Sequence, residues 1–211
     1  MTGPRSGKGD VVLWSSSSHY EDIKRAQGIL ASVNGNIDMV LSRAINKAVQ
    51  GVKAEAVRQT TGEYHVKTYE VRQHIEEKKA SQHRLQASIV VSGRPIAMSK
   101  FKISPRTVPK QAGVKVKDRK KISVTIKRSG PTTQYKHAFL ARFRSGHIGL
   151  VERTNETTIR GKAKLSQLYS LSIPQMVGRP QTITRLKEVS DERLMQELRR
   201  QVDLMLKKGG K

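Results

Sequence analysis

The sequence predicts an α+β fold: amphipathic helices, then a small antiparallel β-sheet or sandwich, then a closing C-terminal helix. Three periodicities predict it. Apolar residues step by three and four from Ile37 to Val52, as one face of a helix requires. They alternate from Leu85 to Val91 and again from Ile122 to Ile126, as a half-buried strand requires. The three-and-four step then returns from Leu194 to Met205. Helices and strands segregated along the chain are the α+β pattern.

The elements follow in order. Residues 1–18, MTGPRSGKGDVVLWSSSS, read as an N-terminal arm. Gly, Ser and Pro4 keep it irregular, and Val11 to Trp14 form a patch that can dock on its own domain or on a neighbouring subunit. Residues 19–211 form a single α+β domain, helical over 19–80, β-rich over 83–154, with a loop and a C-terminal helix over 155–208. Glu21 to Ser32 suggests a short helix broken at Val33-Asn34-Gly35. Asn36 is a suitable N-cap for the long helix that follows, Asp38 suits its first turn, and Thr60-Thr61-Gly62 ends it. Gly51 weakens its interior. A shorter helix starts near Thr68, with Val71 and Ile75 on one face.

Leu85, Ala87, Ile89 and Val91 then mark a strand, and Ser92-Gly93-Arg94-Pro95 a turn. Phe101 and Ile103 alternate with Lys100 and Lys102 in another strand. SPRTVPKQAG (104–113) reads as a loop. Val114 to Lys117 and Ile122 to Lys127 read as two strands around a turn at Asp118-Arg119. Residues 137–154 read as a hairpin turning at Ser145-Gly146, with Phe139, Ala141 and Phe143 on one face. Residues 155–170 read as a polar loop. Pro174 keeps the apolar island Ile173–Gly178 out of a regular helix. Ser190 starts the last helix, with Asp191 and Glu192 in its first turn, Leu194, Leu198, Val202 and Met205 as its seam, and Lys207-Lys208 at its end.

Composition bounds the core. Hydrophobic residues are 36% of the 211 and aromatic ones 4%, with one Trp and three Phe, so an extended protomer that buries surface in an assembly fits better than a self-sufficient globule. The formal net charge is +24. Between Glu77 and Glu152 lie eighteen lysines and arginines and one acid, Asp118, on a pattern of folded strands. Such a surface repels itself unless something negative lies against it, so it predicts a polyanion or an acidic protein face as partner. The plainer alternative is a lysine-rich sheet edge that prevents aggregation.

Catalytic chemistry finds little support. There is no cysteine, which excludes disulfides, thiolate metal sites and cysteine nucleophiles. GPRSGKG (3–9) mimics a phosphate loop, but three residues rather than four separate Gly3 from Gly7, and Gly9 stands where a metal-binding Ser or Thr belongs. No histidines are paired as HxH or HxxxH, and no DxD or ExxE pair offers the clustered carboxylates of a two-metal site. The reading is therefore no enzyme, no cofactor, no metal and no catalytic residue. No apolar run approaches the roughly 18 residues of a membrane span, and Val11–Trp14 is too short for a signal-peptide core, so the expectation is a cytoplasmic protein without membrane contact.

Several segments together resemble the prophage minor tail protein Z, or tail completion protein, family of tailed phages, similar in layout to head-tail joining and tail terminator proteins. They are LSRAINKAVQGVKAEAVRQ (41–59), TYEVRQHI (68–75), SIVVSGRPIAMSKF (88–101), HAFLARFRSGHIGLVER (137–153) and LSIPQMVG (171–178), with a terminal helix after them. The resemblance covers roughly residues 35 to 208. It implies a tail terminator-like fold and a structural virion protein that completes the tail at its head-proximal end and joins it to the neck. It also implies a homo-oligomeric, hexameric ring that meets the tail tube protein and neck or connector proteins, with phage DNA in the lumen, assembled in the host cytoplasm. The residues expected to contact a polyanion or acidic partner are Lys115, Lys117, Lys120, Lys121, Arg142 and Arg144. Those expected in subunit packing are Phe139, Phe143, Ile148, Leu194, Leu198 and Val202. The rival reading is a basic nucleic-acid-binding protein, such as a ribosomal-type protein held by RNA.

Overall fold

A computed structural model describes residues 11–15, 20–30, 37–108, 121–159 and 161–209. Its centre is a long helix, α2 (Ile37–Glu63), preceded by α1 (Tyr20–Leu30). The stripe read from the sequence is buried at Leu41, Ala44, Ile45, Ala48 and Val52, but Val49, Ala56 and Val57 are buried as well. The helix is therefore covered from more than one side, and its alanines let neighbouring elements approach closely. Gly51 has a local reason: a Cβ there would collide with the side chain of Arg193 on the last helix. Thr60 and Thr61 do not end the helix. Their hydroxyls donate back to the Ala56 and Val57 carbonyls at 2.8 and 2.9 Å, and the helix runs on to Glu63. The proposed N-cap, Asn36, lies outside the described residues.

The remaining elements are α3 (Thr68–Arg72), β2 (Ile75–Lys78), β3 (Ser88–Val91), β4 (Pro95–Ala97), a 3₁₀ turn at Met98–Lys100, β5 (Lys102–Ser104), β6 (Ile122–Thr125), β7 (Thr132–Tyr135), β8 (Phe139–Arg142), β9 (Ile148–Thr157), β10 (Ala163–Gln167), β11 (Tyr169–Ser172), α4 (Ile173–Val177) and α5 (Pro180–Gly209), with β1 (Val11–Ser15) at the start. Among the described residues all strand pairs are antiparallel, in four small sheets ordered β1-β3-β2, β10-β9-β8, β11-β4 and β5-β6-β7. The α+β class holds.

Several local expectations need correction. The patch Val11–Trp14 docks on its own chain, one of the two alternatives, but as a strand, β1 paired with β3, rather than as part of an irregular arm. The helix at Thr68 stops at Arg72, and Ile75 opens β2, although Val71 and Ile75 are both buried. Leu85 and Ala87 precede the strand rather than lie in it. The expected strand Val114–Lys117 lies outside the described residues, and the partners of β6 are β5 and β7.

Residues 155–170 are not a loop. β9 continues to Thr157, and β10 returns against it. The third strand, β8, reaches only from Ile148 to Val151, so beyond Val151 the pair is a two-stranded ribbon exposed on most of both faces. Pro174 does not prevent a helix. It sits in the first turn of α4, where its missing N–H costs nothing, and Ser172 and Gln175 form a capping box. The last helix starts at Pro180, ten residues before Ser190. Asp191 and Glu192 are thus interior, and Leu186 and Val189 add buried contacts ahead of Leu194 and Leu198.

α5 packs along α2. One core cluster joins α2, α5, α4 and the inward residues of the sheets, among them Ile89, Val91, Ile122, Val124, Leu140 and Leu150. Asn46 of α2 ties in the chain after β2: its amide donates to the Ala80 carbonyl at 2.9 Å and accepts the Ala80 N–H at 2.8 Å. None of the described helices is long and apolar enough to cross a membrane.

Candidate functional site

The end of α2 is stitched to the chain after β6. His65 donates its N–H to the Ile126 carbonyl at 2.8 Å, Arg128 donates its own to Glu63 at 2.8 Å, and the Arg128 Nε donates to the Thr61 carbonyl at 2.8 Å. This stitch sets His65 and Arg128 side by side. Lys67 and α3 follow on one side, and the segment from Ser99 to Arg106 lies opposite. Alternation along that segment buries Phe101 and Ile103 and turns Lys100 and Lys102 outward. The turn joining β8 to β9 closes the third side with His147 and Ile148.

The resulting cavity is about 660 Å³, with His65, Lys67, Lys100, Lys102, Arg106 and Arg128 among its lining residues. A second cleft of about 580 Å³ adjoins it and shares Glu70, Lys100 and His147, adding Arg94, Ile96 and Tyr169. Together they form a trough lined mainly by cations, with Ile148 and the Tyr169 ring as its accessible apolar surface.

Glu70 is the one acid lining either cleft among the described residues, and it is fully engaged. Its carboxylate is 1% exposed and accepts from Lys100 Nζ at 2.6 Å and from Gln73 Nε2 at 3.0 Å. Burial alone would raise its pKa. Hydrogen bonds from Lys100 and Tyr69, with the charges of Lys100 and His74, more than offset that and hold it below the usual carboxylate value. His65 is held below its ordinary value by burial and by the nearby charges of Arg128 and Lys102.

Elsewhere several acids are paired with cations. Glu55 is buried and held low by the Arg58 guanidinium, which grips it at 2.7 and 2.8 Å, against the cost of burial. Glu63 meets Arg179 and Lys127, Glu77 meets Lys53 at 3.0 Å, and Glu188 meets Arg185 at 2.9 Å. Lys127 is thereby partly neutralised, and its ammonium also lies 5.9 Å from the Tyr64 ring centroid.

Of the residues expected at the polyanion contact, Lys115, Lys117 and Lys120 lie outside the described residues. Lys121 is exposed just ahead of β6, two residues before Ser123, the partner of Ser104. Arg142 and Arg144 are exposed on the hairpin and are not among the residues that line either cleft. Arg142 pairs in register with Ile148, and Arg144 lies in the turn that carries His147. That turn is fixed by Gly146, at φ 82°, and by the rings of Phe143 and His147 stacked at 5.8 Å.

Of the residues expected in subunit packing, Leu194 and Leu198 are buried within this chain, where they anchor α5, and Val202 is half-buried. Phe139 and Phe143 share the outer, half-buried side of the hairpin, while Leu140 and Leu150 turn inward. The Arg153 guanidinium lies 5.5 Å from the Phe139 ring centroid. Ile148 lines the trough.

Sequence reasoning did not single out His65, Lys67, Arg106 or Arg128. The alternation of Lys100 and Lys102 with Phe101 and Ile103 was the visible signal. The convergence of the other cations depends on backbone pairing between distant segments.

The family model described as prophage minor tail protein Z matches residues 24–208, nearly the whole chain. No curated protein and no solved structure matches the chain at a significant level.

Proposed function

We propose that this chain, which belongs to the prophage minor tail protein Z family, completes the tail at its head-proximal end and joins it to the neck as one subunit of a closed ring. That it is a structural tail protein, and so a component of a bacteriophage virion, follows from the family itself. The place in the tail, the ring and the absence of catalysis are the proposal. The family match across residues 24–208 carries it.

The surface supports the reading in two ways. Beyond Val151 the β9–β10 ribbon leaves its sheet and carries Ile159 and Leu165 in solvent, at 109% and 44% exposure. A two-stranded ribbon is marginal in water on its own, and a neighbouring subunit would cover it. The trough supplies the second contact, with an anionic feature of the neck or tube. Assembly in the host cytoplasm belongs to the same reading.

The test is complementation. Particles made without this chain should yield free heads and unjoined tails, and the purified chain should restore joining. Its native mass should show a closed oligomer in the absence of nucleic acid. Normal joining without the chain would overturn the proposal. So would a chain that stays soluble only with RNA bound and loses it in salt, which is the behaviour of the rival RNA-bound protein.

A further inference from the structure

We infer that the trough binds an extended segment of a partner protein in which acidic and apolar side chains alternate. The inference rests on the reading that this chain works by contacting other virion proteins.

The charge pattern requires an anion. Lys67, Lys102, Arg106 and Arg128 line the larger cleft, and none has a carboxylate partner among the described residues. Glu70 cannot serve them, because it is buried and held by Lys100. Arg128 is also pre-positioned, since its Nε is tied to the Thr61 carbonyl. A fixed guanidinium loses little freedom when it meets a carboxylate.

The apolar surface decides which anion. Its accessible part is the half-buried Ile148 in the larger cleft and the Tyr169 ring, 53% exposed, in the smaller, while Val66, Phe101, Ile103, Ile96 and Ala97 are buried. Duplex DNA presents phosphates on a convex rod, and its contacts come from open basic faces or from elements that enter its grooves. A concave trough leaves the rod on the rim and that apolar surface uncovered. A single strand could enter, but it needs aromatic faces for its bases. Tyr69 and Tyr169 are 57% and 53% exposed, yet the Lys67 ammonium lies 6.0 Å from the Tyr69 ring centroid, and Tyr169 lines only the smaller cleft. An extended polypeptide suits both surfaces. Its side chains alternate, so acidic residues can face the cations while apolar ones face Ile148 and the Tyr169 ring.

The test uses fluorescence anisotropy with four labelled probes at physiological salt. They are a short peptide of alternating glutamate and leucine, the same peptide with serine for leucine, a short DNA duplex and a short oligothymidylate. The leucine peptide should bind about tenfold more tightly than its serine counterpart of equal charge, and more tightly than either nucleic acid. Lys102→Ser with Arg128→Ser should weaken it by about tenfold or more. Lys187→Ser, on the exposed side of α5, should leave it unchanged. Thermal melts establish that each variant is folded.

Equal binding of the two peptides overturns the inference, as does tighter binding of duplex or oligothymidylate. An equal loss in the Lys187 variant would reduce the effect to bulk charge and also overturn it. The two readings can fail separately. A chain that binds the peptide but never forms a ring sinks the proposed function alone, and a ring that ignores the peptide sinks this inference alone.

Discussion

Replacing Lys100 by methionine removes the cation from Glu70 while keeping most of the lysine stem. Glu70 would then be a carboxylate on a side chain 2% exposed, with the Gln73 amide still donating to it. Breaking a fully buried ion pair costs about 3–5 kcal/mol, and an exposed one about 0–1 kcal/mol. Here the Lys100 side chain is 39% exposed and that of Glu70 2%. Solvent screens one partner and not the other, so K100M should cost about 2 kcal/mol at pH 7. That corresponds to a Tm lower by about 4–8 °C for a chain of this length.

The pH dependence gives a sharper check. In the wild type, Glu70 titrates below its unfolded value, so its contribution is full above that value and is lost as pH falls through the folded one. In K100M, burial acts with no opposing ammonium, and the carboxyl pKa rises. The deficit of K100M should therefore shrink on acidification, because a protonated Glu70 is cheap to bury. Urea titrations at pH 7 and near pH 4.5, with unchanged slope, measure both effects. A K100M variant as stable as wild type at pH 7, or a deficit that grows on acidification, refutes the reasoning.

Three further outcomes are expected. Leu194→Ala, at a side chain 0% exposed between α5 and α2, should cost about 3 kcal/mol in urea denaturation. Ser190 is buried at 0% exposure with no hydrogen-bond partner for its Oγ among the described residues, so Ser190→Ala should be neutral or raise stability by up to about 1 kcal/mol. His65 binds fewer protons folded than unfolded near its ordinary pKa of 6.5, so its contribution is full above that value and falls as pH drops below it. His65→Gln should flatten the dependence of stability on pH below about 6.5, as measured by urea midpoints on either side of that value.

What could be read from the sequence follows from where one surface dominates. The stripe of α2, the apolar residues of β3 and the turn at Ser145-Gly146 were legible because burial on one face leaves a period in the chain. The β9–β10 ribbon was not, because residues such as Asn155, Glu156 and Lys164 are exposed and no core face imprints an alternation. The first ten residues of α5 were hidden by Ser190-Asp191-Glu192, which imitate a helix start in the middle of one. Pro174 was read as a breaker because its position in the first turn of α4 depends on Ser172 as cap. The excess of positive charge was plain in the composition. The trough was not, because His65 and Arg128 meet only through the backbone stitch between α2 and the end of β6.

The most direct measurement is an electron-microscopy reconstruction of assembled particles carrying a labelled form of this chain. The account predicts density in a closed ring at the head-proximal end of the tail, with the trough of each subunit occupied by a polypeptide segment from a neighbouring protein. Label along the tube or at the distal tip, or a ring whose troughs stand empty, would contradict it.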